Sequence, residues 1–154
     1  MSSNPPSPPQ RNLPLLLLQA RERVMARFRP ILNAHGITEQ QWRVVRALNE
    51  AGPLEPRVIG EICCISSPSM AGILARMEDL GLVSRKRLEQ DQRRVRVSLT
   101  PSSKALVEQI TPLSRQKYQE LEAELGCDSI AALYAQLDRL LERLPPLESQ
   151  ERPA

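Results

Sequence analysis

Aromatic residues are scarce: one phenylalanine, one tryptophan and two tyrosines amount to 3% of the 154 residues. A core without rings must be filled by Leu, Val, Ile, Ala and Met, which dominate the 41% hydrophobic share, and helices carry such a core most readily. Histidine occurs once, at His35, with no acid or nucleophile arranged beside it, and no Gly-rich phosphate loop appears. No enzyme activity is expected. Cys63, Cys64 and Cys127 form no metal-ligand spacing, so neither a metal nor a cofactor is expected. Their odd count, with no signal peptide, suits a reducing cytoplasm. Long apolar runs are missing too: Leu15, Leu16, Leu17 and Leu18 are too few to span a bilayer or act as an export signal, and no membrane partner is expected.

What the chain does have is unevenly placed charge. The net charge is only +3, but residues 84 to 96 hold Arg85, Lys86, Arg87, Arg93, Arg94 and Arg96 against Glu89 and Asp91. Residues 105 to 150 hold four basic and eight acidic side chains. A basic middle on an acidic remainder fits a polyanion-binding patch on a scaffold that stays clear of the polyanion.

Proline and serine crowd both ends, "MSSNPPSPPQ" and "PPLESQERPA", which predicts disordered tails over 1–11 and 145–154. Asn12 and Pro14 open a helix to about Asn33, bent near Pro30, whose four leucines 15 to 18 are apolar nearly all round and need a cover. Thr38 and Gln41 form a capping box that starts a second helix through Trp42, Val45 and Leu48. Residues 55 to 64 read as a short helix and 65 to 67 as a tight turn. "SSPSMAGILARMEDLG" follows as a capped helix, started by Ser66 or Ser67 and closed by Gly81. Met70, Ile73, Leu74, Met77 and Leu80 make its apolar face, leaving Ser67, Ser69, Gly72 and Arg76 on the other.

Val83 to Leu88 and Val95 to Leu99 alternate as two strands, so that Val95, Val97 and Leu99 point inward while Arg94 and Arg96 face solvent. Thr100 and Pro101 cap a long helix to about Glu124, Gly126 ends it, and Asp128 caps a last one. Ile130, Leu133, Tyr134, Leu137, Leu140, Leu141 and Leu144 form one wide stripe on that last helix, suited to a partner.

Helix, turn, capped helix and basic hairpin is the order of a winged helix-turn-helix, a mainly α fold with a small β wing. Residues 58 to 100, "VIGEICCISSPSMAGILARMEDLGLVSRKRLEQDQRRVRVSLT", resemble the core of the MarR family of transcription regulators in their recognition helix, "LGLVSR", Asp-x-Arg wing and closing "LT". The resemblance extends over 12–144 as a single domain, with a DNA-binding lobe at 38–100 and dimerisation helices at 12–34 and 101–144. Within the family, "LLQARERVMARFRPILNAHGITEQQWRVVRAL" resembles the repressors of homoprotocatechuate (4-hydroxyphenylacetate) degradation operons. Two positions depart from the family pattern: Arg94 follows the wing motif where Ser or Thr is usual, and Ser103 replaces a glycine.

The resemblance implies a homodimer on double-stranded DNA with a pseudopalindromic operator, released by an aromatic carboxylate. The helix from Ser66 would lie in the major groove and a wing arginine in the minor groove, held extended by Asp91 through a charge-assisted hydrogen bond to Arg93 or Arg94. The DNA-binding set is then Arg57, Ser66, Ser67, Ser69, Met70, Arg76, Lys86, Asp91, Arg93 and Arg94. Effector candidates are Arg21, Met25, His35, Trp42, Arg43 and Arg46: cations for a carboxylate and an apolar wall for a ring. Leu15, Leu16, Leu17, Leu18, Ile130, Leu133, Leu137 and Leu141 are assigned to the dimer interface. Plainer roles compete at each point. Taken alone, the wing is a solvated hairpin, the serines are caps, Trp42 anchors the core, and His35 is a cap or surface residue. Rival functions are a redox sensor using Cys63 and Cys64 and a helical adaptor that does not bind DNA.

Overall fold

The computed structural model describes residues 11–146, and the Pro/Ser-rich tails lie almost wholly outside them. Helix α1, Leu13–Ala34, is capped by Asn12, whose Oδ1 accepts the Leu15 N–H at 3.1 Å, with Pro14 in the first turn. Its far half buries Phe28 and Leu32. Helix α2, Glu39–Ala51, begins on both halves of the expected capping box: Thr38 Oγ1 accepts the Gln41 N–H, and Gln41 Oε1 accepts the Thr38 N–H, each at 3.1 Å. Gly52, with φ +79, ends it.

Helices α3, Pro56–Cys63, and α4, Ser67–Asp79, meet at an angle of 109°, the geometry of a helix-turn-helix. Two features make so sharp a turn possible. Cys64 adopts the left-handed conformation, φ +53, and caps α3. Gly60 lets the chain fold back: the Ile65 N–H bonds to the Gly60 carbonyl at 3.0 Å, and a Cβ at position 60 would stand 2.9 Å from the Ile65 carbonyl oxygen. Gly81, with φ +71, follows the end of α4 as expected. Leu80 departs from expectation. It is the C-cap of α4, one residue beyond the helix, and is 61% exposed.

Strands β1, Val83–Leu88, and β2, Asp91–Leu99, pair antiparallel, from Val83 opposite Leu99 to Arg87 opposite Val95. β2 starts four residues before the expected Val95, because pairing persists past an irregularity at Arg87 and Leu88 until Leu88 stands opposite Asp91. Leu54 bonds to Val97 in both directions, at 3.1 and 2.8 Å, and ties the segment before α3 to the hairpin. Val97 is fully buried, with Leu99 partly so, as the alternation predicts.

Helix α5, Pro101–Leu125, starts on a reciprocal cap: Ser103 Oγ accepts the Thr100 N–H at 3.0 Å, and Thr100 Oγ1 accepts the Ser103 N–H at 3.3 Å. Ser103, the departure from the family pattern, is thus buried with its hydroxyl bonded. Helix α6, Cys127–Arg143, is capped by Gly126 and not by Asp128; Asp128 lies two residues past the cap, in the first turn, where its charge still favours the helix dipole.

The described chain falls into two compact units divided after Ser114. The first holds the core, in which Val44, Val45, Ile59, Met77, Val97 and Ile110 are completely buried and no ring is. Met25 and Trp42 pack against this core half-buried. In the second, α6 has no buried residue. No single helix among the described residues is long and apolar enough to cross a membrane.

Gly60→Ala forces its methyl group against the Ile65 carbonyl, and chemical denaturation will register a loss of about 1–3 kcal/mol. Gly72→Ala, at an open helical position, will gain about 0.5–1 kcal/mol in the same measurement.

Candidate nucleic-acid interface

Ser66 has the backbone of an N-cap, φ −64 and ψ 151, but its hydroxyl caps no backbone N–H; it donates to Ser69 Oγ at 3.1 Å. The first turn of α4 therefore keeps donors for an outside anion, and the helix dipole favours negative charge there. Ser66, Ser67, Ser69, Gly72 and Arg76 are all exposed, on the side away from the core. Arg76 has no ion pair among the described residues. Met70 is a correction to the sequence-based set. It is 2% exposed, packed into the core with Ile73 and Met77 by the helical period, and has no surface to offer DNA. Arg57 is exposed and paired with Glu61 at 2.5 Å.

The hairpin presents a second cationic element. Lys86 and Arg96 stand directly opposite each other, both exposed. Like charges in a cross-strand pair destabilise a sheet, and an opposing anion relieves that cost. At the tip, Asp91 Oδ1 accepts the backbone N–H of Arg93 at 3.0 Å. The expected hydrogen bond from a guanidinium to Asp91 is thus corrected: the aspartate bonds the amide two residues on and shapes the turn backbone, while its charge acts on Arg94 without a bond. Arg93 is left with no ion pair among the described residues. The Arg94 Nε–H donates to Glu55 Oε1 at 2.5 Å, and this bond and charge hold the guanidinium above its ordinary pKa. Glu55 escaped sequence reasoning because it lies 39 residues from its partner.

The effector candidates separate into two groups. Arg21, Arg29 and Arg43 converge on the carboxylate of Glu39 at the start of α2, Arg29 at 3.3 Å and Arg43 at 3.9 Å, with Arg21 also bonded to it. Arg29 binds Glu22 at 2.8 Å as well, and that hydrogen bond pulls the Glu22 carboxyl below its usual value. Arg43 further donates through Nη1 to the carbonyl of Cys63 at 2.7 Å. Arg46 pairs with Glu50 at 2.9 Å, one turn along. Met25 and Trp42 supply half-buried apolar surface, and His35 Nδ1 lies 2.7 Å from the Ile31 carbonyl, closing α1. Glu22, Arg29 and Glu39 were not singled out from the sequence; the four-residue spacing of Glu39 and Arg43 was the available signal.

Leu15, Leu17 and Leu18 on α1, and Leu133 and Leu141 on α6, are each at least 40% exposed. Leu16, Ile130 and Leu137 are half-buried. Cys63 is buried, and burial pushes its thiol up, away from the reactive thiolate; Cys64 and Cys127 are exposed.

A paired-helix turn at 109°, an open serine-led helix face and a cationic hairpin define a winged helix-turn-helix DNA-binding regulator. Residues 37–95 match the MarR family. The chain is 44% identical over 117 residues to the HTH-type transcriptional regulator FarR of Neisseria gonorrhoeae, covering 76% of this chain and 80% of that protein. It is 40% identical over 131 residues to the homoprotocatechuate degradative operon repressor of Escherichia coli, covering 85% and 86%. The crystal structure of NadR in complex with 4-hydroxyphenylacetate matches with a TM-score of 0.75 and 39% identity, covering 89% of this chain and 97% of that one. The chain belongs to the MarR family of transcription regulators.

Under native conditions a disulfide reagent will modify Cys64 and Cys127 but spare Cys63, which will react only on unfolding; mass spectrometry reads the sites. Arg93→Ala will weaken DNA binding and flatten its logarithmic salt dependence by about 1 per wing, measured by fluorescence anisotropy, whereas Arg94→Ala, already neutralised by Glu55, will change it less.

Proposed function

We propose that the chain is a repressor of an aromatic-compound catabolic operon, released from its operator by an aromatic carboxylate of the homoprotocatechuate or 4-hydroxyphenylacetate type. The observation that carries this reading is the 40% identity to the homoprotocatechuate degradative operon repressor across 86% of its length. NadR, solved with 4-hydroxyphenylacetate, supports the ligand chemistry. In this chain Arg21, Arg43 and Arg46 offer guanidinium groups for a carboxylate, Met25 and Trp42 a wall for a ring, and His35 a polar group nearby in sequence.

Residues 38–100 form the lobe that meets DNA, with Ser66, Ser67, Ser69 and Arg76 at the major groove and Arg93 in the minor groove; Arg57, Lys86 and Arg94 serve the phosphate backbone. Helices from 12–34 and 101–144 join two protomers. Exposed leucines support this: Leu18 is 55% and Leu141 66% exposed, on helices with little other apolar cover. A two-fold dimer sets two recognition helices about one DNA turn apart, hence the pseudopalindromic operator. Release follows if the effector prefers the dimer whose helices are wrongly spaced for DNA.

Titration on duplex DNA from beside the protein's own gene will give tight binding that 3,4-dihydroxyphenylacetate or 4-hydroxyphenylacetate weakens by about tenfold or more. Affinity unmoved by either compound rejects the effector assignment. Light scattering of the free protein will give the mass of a dimer, and Leu133→Asp combined with Leu141→Asp will reduce it to that of a single chain.

A further inference from the structure

We infer that Arg43 is a positioning residue for the recognition helix: it holds the carbonyl that ends α3 and thereby sets the turn from which α4 emerges. The last carbonyls of a helix have no partner within it. In α3, the Gly60 carbonyl accepts the Ile65 N–H at 3.0 Å and the Glu61 carbonyl accepts the Cys64 N–H at 3.4 Å. The Cys63 carbonyl, adjoining the left-handed Cys64, takes its donor from another helix, Arg43 Nη1 of α2 at 2.7 Å. A cation at this end also suits the dipole of α3. Three residues later Ser66 begins the face proposed above to meet DNA, and the inference rests on that reading.

The other edge of the same guanidinium faces Glu39, which also binds Arg21 and Arg29 from α1. Arg43 therefore bridges the charge cluster of α1 and α2 to the turn of the helix-turn-helix. Its Nε is buried with no hydrogen-bond partner among the described residues, a cost that an arginine making only surface ion pairs does not bear. A rearrangement of the Glu39 cluster is therefore passed to the turn before α4 through this side chain, in parallel with the packing of α2 against α3.

The test uses the full chain and Cys64, exposed within the turn, as a reporter, with exposed Cys127 as an internal reference. Arg43→Gln loses the charge, and Arg43→Lys keeps it with a single ammonium in place of the fork. Arg43→Gln is expected to speed reaction of Cys64 with a disulfide reagent by about threefold or more while Cys127 reacts at its usual rate. It is also expected to weaken binding to a duplex enriched from a random pool by the wild-type protein, by about tenfold, with Arg43→Lys intermediate in both. Unchanged Cys64 reactivity overturns the inference, even where affinity falls, because Arg43 then acts on DNA directly. Equal acceleration of both cysteines overturns it as well, by revealing general loosening. If the wild-type protein enriches no duplex, the DNA assignment fails, while the thiol comparison still decides the role of Arg43. Should Arg43→Gln fail to fold, Arg43→Lys decides by the same criteria.

Discussion

The close passage of the chain at Gly60 and Ile65 is the constraint on which the geometry of the helix-turn-helix depends. Without side-chain atoms at position 60, the carbonyl of Ile65 can sit where a Cβ would be, 2.9 Å away, and α4 leaves α3 at 109°. That angle turns Met70, Ile73, Leu74 and Met77 onto the core and leaves Ser66, Ser67, Ser69, Gly72 and Arg76 outside. Because one helix serves both roles, an error in the turn would misplace the core contacts and the serine face together. The left-handed Cys64 and the Arg43 bond to Cys63 act on the same short segment.

Electrostatics divides the hairpin into committed and uncommitted cations. Arg94 is tied to Glu55, and Arg85 to Glu78 at 2.9 Å, so these arginines fasten the wing to the helices beneath it. Lys86, Arg93 and Arg96 have no such counter-charge among the described residues, and two of them face each other across the strands. A folded domain tolerates such local repulsion when a polyanion later relieves it. The extra arginine at position 94, unusual beside the family pattern, is therefore a fastening, bonded to Glu55.

Membership of the MarR family gives these features a common purpose, transcription regulation, without specifying what turns it on or off. The charge cluster around Glu39 joins α1 to α2 through shared ion pairs. Arginines from α1 and α2 compete for one carboxylate, and any anion entering among them must redistribute bonds that already exist.

Elements set by neighbouring residues were legible in the sequence: the capping box of Thr38 and Gln41, the Asn12 cap, the glycine stops and the alternation of β2 all depend on groups within a few positions. The aliphatic core and the outward face of α4 followed from helical period alone. What failed was of two kinds. Leu80 lies one residue and Asp128 two residues from where local rules placed them, since helix ends shift with packing. Met70 was assigned to DNA against its own period, and Asp91 to a guanidinium when the nearer amide was the better partner. The sequence by itself determined the helical and hairpin segments and the residue classes on each face, because those are short-range properties of the chain. Only tertiary structure decided that Glu55 takes Arg94, that Arg43 ends α3 and that three arginines share Glu39, because ion pairs are chosen by distance in space, to which separation along the chain is blind.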